Sequence, residues 1–430
     1  MPYDLIVRHA HLHRREELVD LAIAQGQFAR IATDLSHLSA IREIDAQGRL
    51  LSPPFIDSHV HLDAALTVGQ PRYNTSGTLL EGIQIWGERK AELSVAEVKM
   101  RALQAIYWEV AQGTLHIRSH VDVCDPRLTA LRALLEVREE VRDICDLQVV
   151  AFPQDGIFSF PAGQALLRQA LELGCDLVGG IPHYEWTQAL GEADVHYAFA
   201  LAKEFNRDID CHCDETDDQA ARFTEVMAAD TQQHNWQGRV TASHCTAMQS
   251  YNDAYAAKLI QLLAHAHVNV VANPFDNVVL QGRFDTYPKR RGITRVKELL
   301  AAGVNVSLGH DSLMDPWFPL GRGNMLAAAQ LALFLCHMSG MQEIQQIFDL
   351  ITACAARTLR IEDRYGIAEG QPASFLILDA PSAFEALRLL PACLHVFKDG
   401  REVATTTPAS SVLRRRGESA AHAITFRPTP

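Results

Sequence analysis

Histidines and carboxylates recur in this sequence at one kind of position, the end of a short β-branched run. In HVHLD, His59 and His61 stand two residues apart, so on a strand both rings project from the same face and can share one cation. Neutral imidazole is a good ligand for zinc or ferrous iron. An H-x-H pair alone fits packed or exposed histidines equally well, but here the pattern continues. Further runs close on His120 with Asp122, Gln154, His183, His212 with Glu215, His244, Asn273, and finally His310 with Asp311. The His9, His11, His13 run is denser still, yet it precedes these runs and has no carboxylate or further histidine placed to complete a site. It reads as a solvated strand face. In Cys211-His212-Cys213, strand alternation turns His212 to one face and both cysteines to the other, where they pack as ordinary buried thiols.

Positioning these groups requires parallel strands. From residue 54 to 311, eight β-branched runs alternate with amphipathic helical stretches: FIDSHVH, TLHIRSHVDV, DLQVVAFPQ, DLVGGIPH, DIDCHCDE, RVTASH, VNVVANP and VNVSLGHD. Eight strands close a barrel whose active site lies at the C-terminal strand ends. The helices carry their own signals. Ser94 and Glu97 form a capping box opening a run that stops at Gly113, and LLRQALELG and RVKELLAAG each end in a glycine suited to a left-handed cap. Residues 1–53 and 372–405 instead show short alternating strands with glycine turns. The fold class is therefore α/β: a (β/α)8 barrel over 54–368 and a small β domain built from both chain ends, 1–53 and 369–430. The tail beyond Thr406, rich in Ser, Thr, Pro and Arg, is left without an assigned structure.

Composition narrows the function classes. A net charge of −13 and a pI near 5.8 argue against a protein that grips polyphosphate, so a nucleic-acid-like ligand should be small and uncharged. The start, MPYDLIVRHAHLHRREE, lacks a basic stretch leading into an apolar run, and no segment reaches the roughly 18 apolar residues of a membrane span. Nine scattered cysteines fit reduced thiols. The expectation is a soluble cytoplasmic protein with no nucleic-acid or membrane partner.

Taken together, PPFIDSHVHLD, SGTLLEGIQIWGERK, VAFPQDGI, HCDE, TASHCTAM, LQGRFDTYPKRRGITRVKE and GHDSLMDPW resemble the bacterial cytosine deaminase family of the amidohydrolase superfamily, over nearly the whole chain. The resemblance implies one Fe2+ or Zn2+ per chain held by His59, His61, His212 and Asp311. It implies Gln154 binding the base through its amide edge, Glu215 as proton shuttle at ring N3, His244 beside the nucleophilic water, and Leu79 and Trp317 lining the pocket. The expected reaction is hydrolytic deamination at C4 of a free cytosine-type base, by water that the cation acidifies from a pKa of 15.7 to about 7. His244 and Asp311 then manage the protons. Relatives with two metals bridge them by a carboxylated lysine at strand four; here that run ends Gly180-Ile181-Pro182-His183, which fits a single metal. The H-x-E with P-C-x-x-C signature of a different class of zinc deaminases is absent.

One position departs from the family pattern. Where cytosine deaminases commonly carry a second Asp directly after the metal-binding one, this chain has Ser312. The smaller side chain suggests that 5-methylcytosine and 5-fluorocytosine are accepted. His120, His183 and Asn273 are either orienters of the metal-bound rings or satisfied core groups. Competing readings are an aminohydrolase for isoguanine, triazine or cyclic guanidine substrates, a cyclic amide hydrolase, or a non-catalytic ligand-binding relative. The resemblance also suggests a homo-oligomer, with a hexamer as one form.

Overall fold

Glycine turns break both chain ends into short strands, and the long middle of the chain alternates strand and helix. The computed structural model describes residues 2–416, 421–424 and 426. In chain order the strands are β1 (Tyr3–Leu12), β2 (Leu18–Ala24), β3 (Gln27–Ala32), β4 (Ala40–Asp45) and β5 (Leu50–Ser52). Next come β6 (Phe55–Val60), β7 (Thr114–Asp122), β8 (Asp146–Phe152), β9 (Leu177–Val178), β10 (Asp208–Cys213), β11 (Val240–His244), β12 (Asn269–Ala272) and β13 (Val306–Leu308). The last are β14 (Phe375–Leu378), β15 (Cys393–Lys398), β16 (Arg401–Thr405), β17 (Ser411–Leu413) and β18 (His422–Ile424).

The chain divides into two compact units, residues 1–54 with 111–113 and 366–430, and residues 55–110 with 114–365. In the first, both chain ends share one sheet in the order β16-β15-β14-β5-β1-β2-β3, with β4 also on β1. Its core is Val7, Leu21, Phe28, Phe375 and Phe397, the last two stacked at 4.5 Å. A register break between Val7 and Ala10 interrupts β1 at His9, whose ring meets Asp45 at 3.0 Å. The expected solvated face is bulged at this point and gives His9 a local carboxylate partner. In the tail, β17 and β18 pair as an antiparallel hairpin.

The second unit is the barrel. Eight parallel strands run in sequence order from β6 to β13. The ring closes where Asp311 N–H donates to His59 O at 2.8 Å and His61 N–H donates to Asp311 O at 2.9 Å. Asp57 Oδ1 pins this seam by accepting from the N–H groups of His59 and His310. Gly174, at φ +111°, caps its helix by donating to Ala170 O and Leu171 O, and Gly303 follows its helix at φ +83°. β9 is only two residues long. The chain beyond it runs so close to its neighbours that a Cβ on Gly179 would lie 2.4 Å from Ala151 O. Pro182 then starts a 3-10 turn, so His183 sits on that turn and not at a strand end.

The barrel interior is polar near its base. Arg118 is 1% exposed and donates to Asp210 Oδ2 at 2.9 Å, Gln148 Oε1 at 3.0 Å and Thr358 O at 2.9 Å. Removing one partner of a buried ion pair leaves the other charge uncompensated, at a cost of about 3–5 kcal/mol. Arg118→Met is expected to lower the unfolding free energy by about that amount in urea titration. A loss below about 1 kcal/mol, the level of a surface pair, would contradict this account.

Candidate metal and substrate site

The closure seam brings three of the four expected ligands together, because β6 carries His59 and is followed directly by His61, and Asp311 lies three residues beyond β13. The fourth, His212, comes from β10 across the barrel. His61 Nε2 and His212 Nε2 approach to 3.0 Å, and Asp311 Oδ1 lies 3.5 Å from His59 Nε2 and 3.4 Å from His61 Nε2. His59 Nε2 is buried without a hydrogen-bond partner. Burial and the neighbouring rings push the imidazoles of His59 and His212 well below their usual range, and burial brings His61 down to about 3. Neutral nitrogens and a carboxylate converging on one point are a donor set for a divalent cation, and they fit one.

His59, His120 and Asp210 also cluster closely enough to ligate. Their partners speak against that grouping. Asp210 already carries the Arg118 guanidinium and the Ser243 hydroxyl, and His120 lies flat on His59 with ring centroids 3.8 Å apart. They support the first ligand from behind. Ser243 Oγ donates to Asp210 Oδ1 at 2.7 Å, so it accepts from His59 Nδ1 at 3.0 Å. That fixes the tautomer: the proton is on Nδ1 and the lone pair of Nε2 faces the cation. Phe152 stacks on His212 at 3.9 Å and holds the second ring. Ser243→Ala is expected to weaken metal affinity by about 10–100-fold, measured by competition with a chelator; unchanged affinity would show that the relay does not orient His59.

His244 belongs to a different set. Its backbone is left-handed at φ +71°, as is that of Asp311 at φ +68°, strain typical of residues held for function. The Asn273 N–H donates to Asn277 Oδ1 at 3.2 Å, which turns the Asn277 amide nitrogen toward His244 Nδ1 at 3.0 Å. An amide nitrogen only donates, so the Nδ1 lone pair accepts from Asn277. The same nitrogen is 3.5 Å from Glu215 Oε1 and 3.7 Å from Asp311 Oδ2. Burial lifts the Glu215 carboxyl to about 8.

A small cavity opens onto these groups, lined by Gln154, Leu79, Trp317 and Ser312 among others. Gly82 lets the Trp317 wall pack closely on its helix, since a Cβ there would lie 2.4 Å from the Trp317 ring. The structure thus gathers His59, His61, His212, Asp311, Glu215, His244, Gln154, Leu79, Ser312 and Trp317 in one place. Asn273 stands behind His244, whereas His183 lies at the cavity mouth with Tyr184, Leu80 and Phe284. Sequence reasoning missed Asp210, Ser243, Arg118, Asp276 and Asn277. Asp210 carried a usable signal, being two residues before His212 and so on the same strand face. Asp276 and Asn277, on a short helix after β12, carried none.

A barrel with a single-cation donor set at its strand ends defines a metal-dependent hydrolase. The chain belongs to the amidohydrolase family, whose model matches residues 42–404. It is 45% identical to the 5-methylcytosine deaminase of Klebsiella pneumoniae, solved with 5-fluorocytosine, over 96% of this chain and 100% of that one, with a TM-score of 0.93. It is 30% identical to the N-isopropylammelide isopropyl amidohydrolase of Pseudomonas sp. (strain ADP), over 93% of this chain and 96% of that protein. N-isopropylammelide isopropylaminohydrolase from Burkholderia multivorans matches at 25% identity and a TM-score of 0.81, covering 94% and 99% of the two chains. No helix among the described residues is long and apolar enough to cross a membrane.

Proposed function

We propose that this enzyme deaminates a free cytosine-type base and accepts a substituent at C5. The observation that carries the reading is the small cavity lined jointly by Gln154, Glu215 and the ligand cluster. Similarity to the Klebsiella enzyme over the whole chain supports it. In the reaction water adds at C4, the C4–N bond breaks, and ammonia leaves a 4-oxo ring. A divalent cation, Fe2+ or Zn2+, held by His59, His61, His212 and Asp311 supplies the Lewis acidity that makes water nucleophilic at neutral pH.

The chain's own residues do the rest. Gln154 offers both a donor and an acceptor to the N1–H and C2=O edge. Glu215, kept protonated by burial, donates to N3 as charge develops there and regains a proton from the new C4 hydroxyl as the amine leaves. His244 and Asp311, whose Nδ1 and Oδ2 lie 3.7 Å apart, together receive the proton released by water and return it to the departing amine. Leu79, Leu280 and Trp317 exclude bulk water from the ring, and Ser312 leaves more room than an Asp at the C5 edge.

The test compares kcat/KM for cytosine, 5-methylcytosine and 5-fluorocytosine by ammonia release. We expect the 5-substituted bases to equal or exceed cytosine, within the roughly 1–3 kcal/mol that a methyl group contributes in an apolar pocket. A strong preference for plain cytosine would overturn the C5 reading. No ammonia from any of the three, with amine released from N-isopropylammelide, would move the substrate to the triazine class of the Pseudomonas relative. We further read the enzyme as cytoplasmic and homo-oligomeric, which light scattering on the purified protein tests for the assembly.

A further inference from the structure

β8 and β12 stand four places apart in a ring of eight, so they face each other across the barrel. Gln154 follows β8 and Asp276 follows β12. A pyrimidine whose N1–H and C2=O edge meets Gln154 therefore turns its opposite edge, bearing the 4-amino group and C5, toward Asp276 and Ser312. Asp276 is 2% exposed and lines the cavity. Its Oδ2 accepts from Ser312 Oγ at 2.6 Å, whereas its Oδ1 is buried with no partner in the protein. A buried carboxylate oxygen without a hydrogen bond is costly. Asp276 belongs to none of the ligand groups around His59, so a cation does not account for it. Leu280 has no donor, and the Trp317 indole N–H, also in the lining, is buried without a partner and does not bond Asp276 Oδ1.

We propose that Asp276 is a specificity-determining substrate contact whose Oδ1 accepts a hydrogen bond from the 4-amino group of the bound pyrimidine, with Ser312 as the residue that positions it. The proposal rests on the cytosine-type reading above. It explains how a chain with Ser after its last ligand still presents a carboxylate to the leaving amine: the carboxylate arrives from the neighbouring strand end. Positioning by Ser312 also alters the meaning of that substitution. An Asp at 312 would face Asp276 as a like charge and would displace it as well as crowd C5.

Two substrates separate contact from architecture. 5-Methylcytosine carries the amino donor; 4-methoxy-5-methyl-2-pyrimidinone undergoes the same attack at C4 but loses methanol and has no N–H at that position. With metal content verified in each variant, Asp276→Ala is expected to lower kcat/KM by about 100-fold for the amino substrate and by less than about 3-fold for the methoxy one. Asp276→Asn, which keeps an acceptor oxygen, should recover part of the loss. Ser312→Ala should lower the amino substrate alone by about 10-fold, mainly through KM. Equal losses on both substrates, or no loss on either, would overturn the proposal while leaving the cytosine-type reading intact. A wild-type enzyme that releases no ammonia from any 4-aminopyrimidinone would overturn that reading, and the proposal with it.

Discussion

Glu215→Gln is expected to lower kcat/KM for 5-methylcytosine by about 10^2–10^4-fold while leaving the metal in place. The amide preserves the size of the side chain and its place beside His244 but has no proton to transfer. The pH dependence follows from the same burial. Desolvation raises the carboxyl from its ordinary 4.5 to about 8, and a bound dication draws it back down. The active form is protonated, so kcat/KM should fall as pH rises through an alkaline limb at or below about 8, and this limb should vanish in the variant. Stability follows the same sign. A carboxyl whose folded pKa lies above its unfolded value contributes fully below the unfolded pKa and loses that contribution as pH rises through the folded one. The metal-free protein should therefore weaken between about pH 4.5 and about pH 8 more than metal-free Glu215→Gln does, as read by urea melts. A variant that keeps more than about a tenth of the activity would remove Glu215 from the proton path.

His61→Ala is expected to abolish both stoichiometric metal and activity, the latter by at least about 10^4-fold, because the attacking water loses its Lewis acid. The informative partner is His120→Asn. If the cation sits among His59, His61, His212 and Asp311, the His120 variant retains close to one metal per chain and His61→Ala retains almost none. If it sits among His59, His120 and Asp210 instead, the pattern reverses. Elemental analysis of the two purified variants decides between them, and metal-dependent protection against thermal unfolding gives an independent readout. The relay geometry favours the first outcome, since Asp210 is already engaged by Arg118 and Ser243.

Much of this arrangement was legible from local pattern. Strand periodicity is two, so His59-x-His61 and Asp210-x-His212 declare shared faces before any fold is known. Alternation also separated His212 from Cys211 and Cys213: the Cys213 thiol meets Thr224, which lies on a helix. The left-handed glycines Gly174 and Gly303 mark helix ends for the same local reason. His183 was less legible, because its run contains Gly179, Gly180 and Pro182, which shorten the strand and carry the ring out to the cavity mouth.

By itself, then, the amino-acid sequence determined the eight-strand alternation, the reactive group closing each run and the faces those groups share. All of these depend on a few consecutive residues and on backbone geometry with a fixed repeat. Tertiary closure alone decided which groups meet. Asp311 reaches His59 and His61, some 250 residues away, through the hydrogen bonds that close the ring between the first and last strands. The same closure sets Asp276 beside Ser312, and it turns an apparent loss of a carboxylate into the transfer of one from the neighbouring strand end. No local pattern encodes that pairing, because the two residues come from different strand ends whose spacing is fixed only when the barrel is complete.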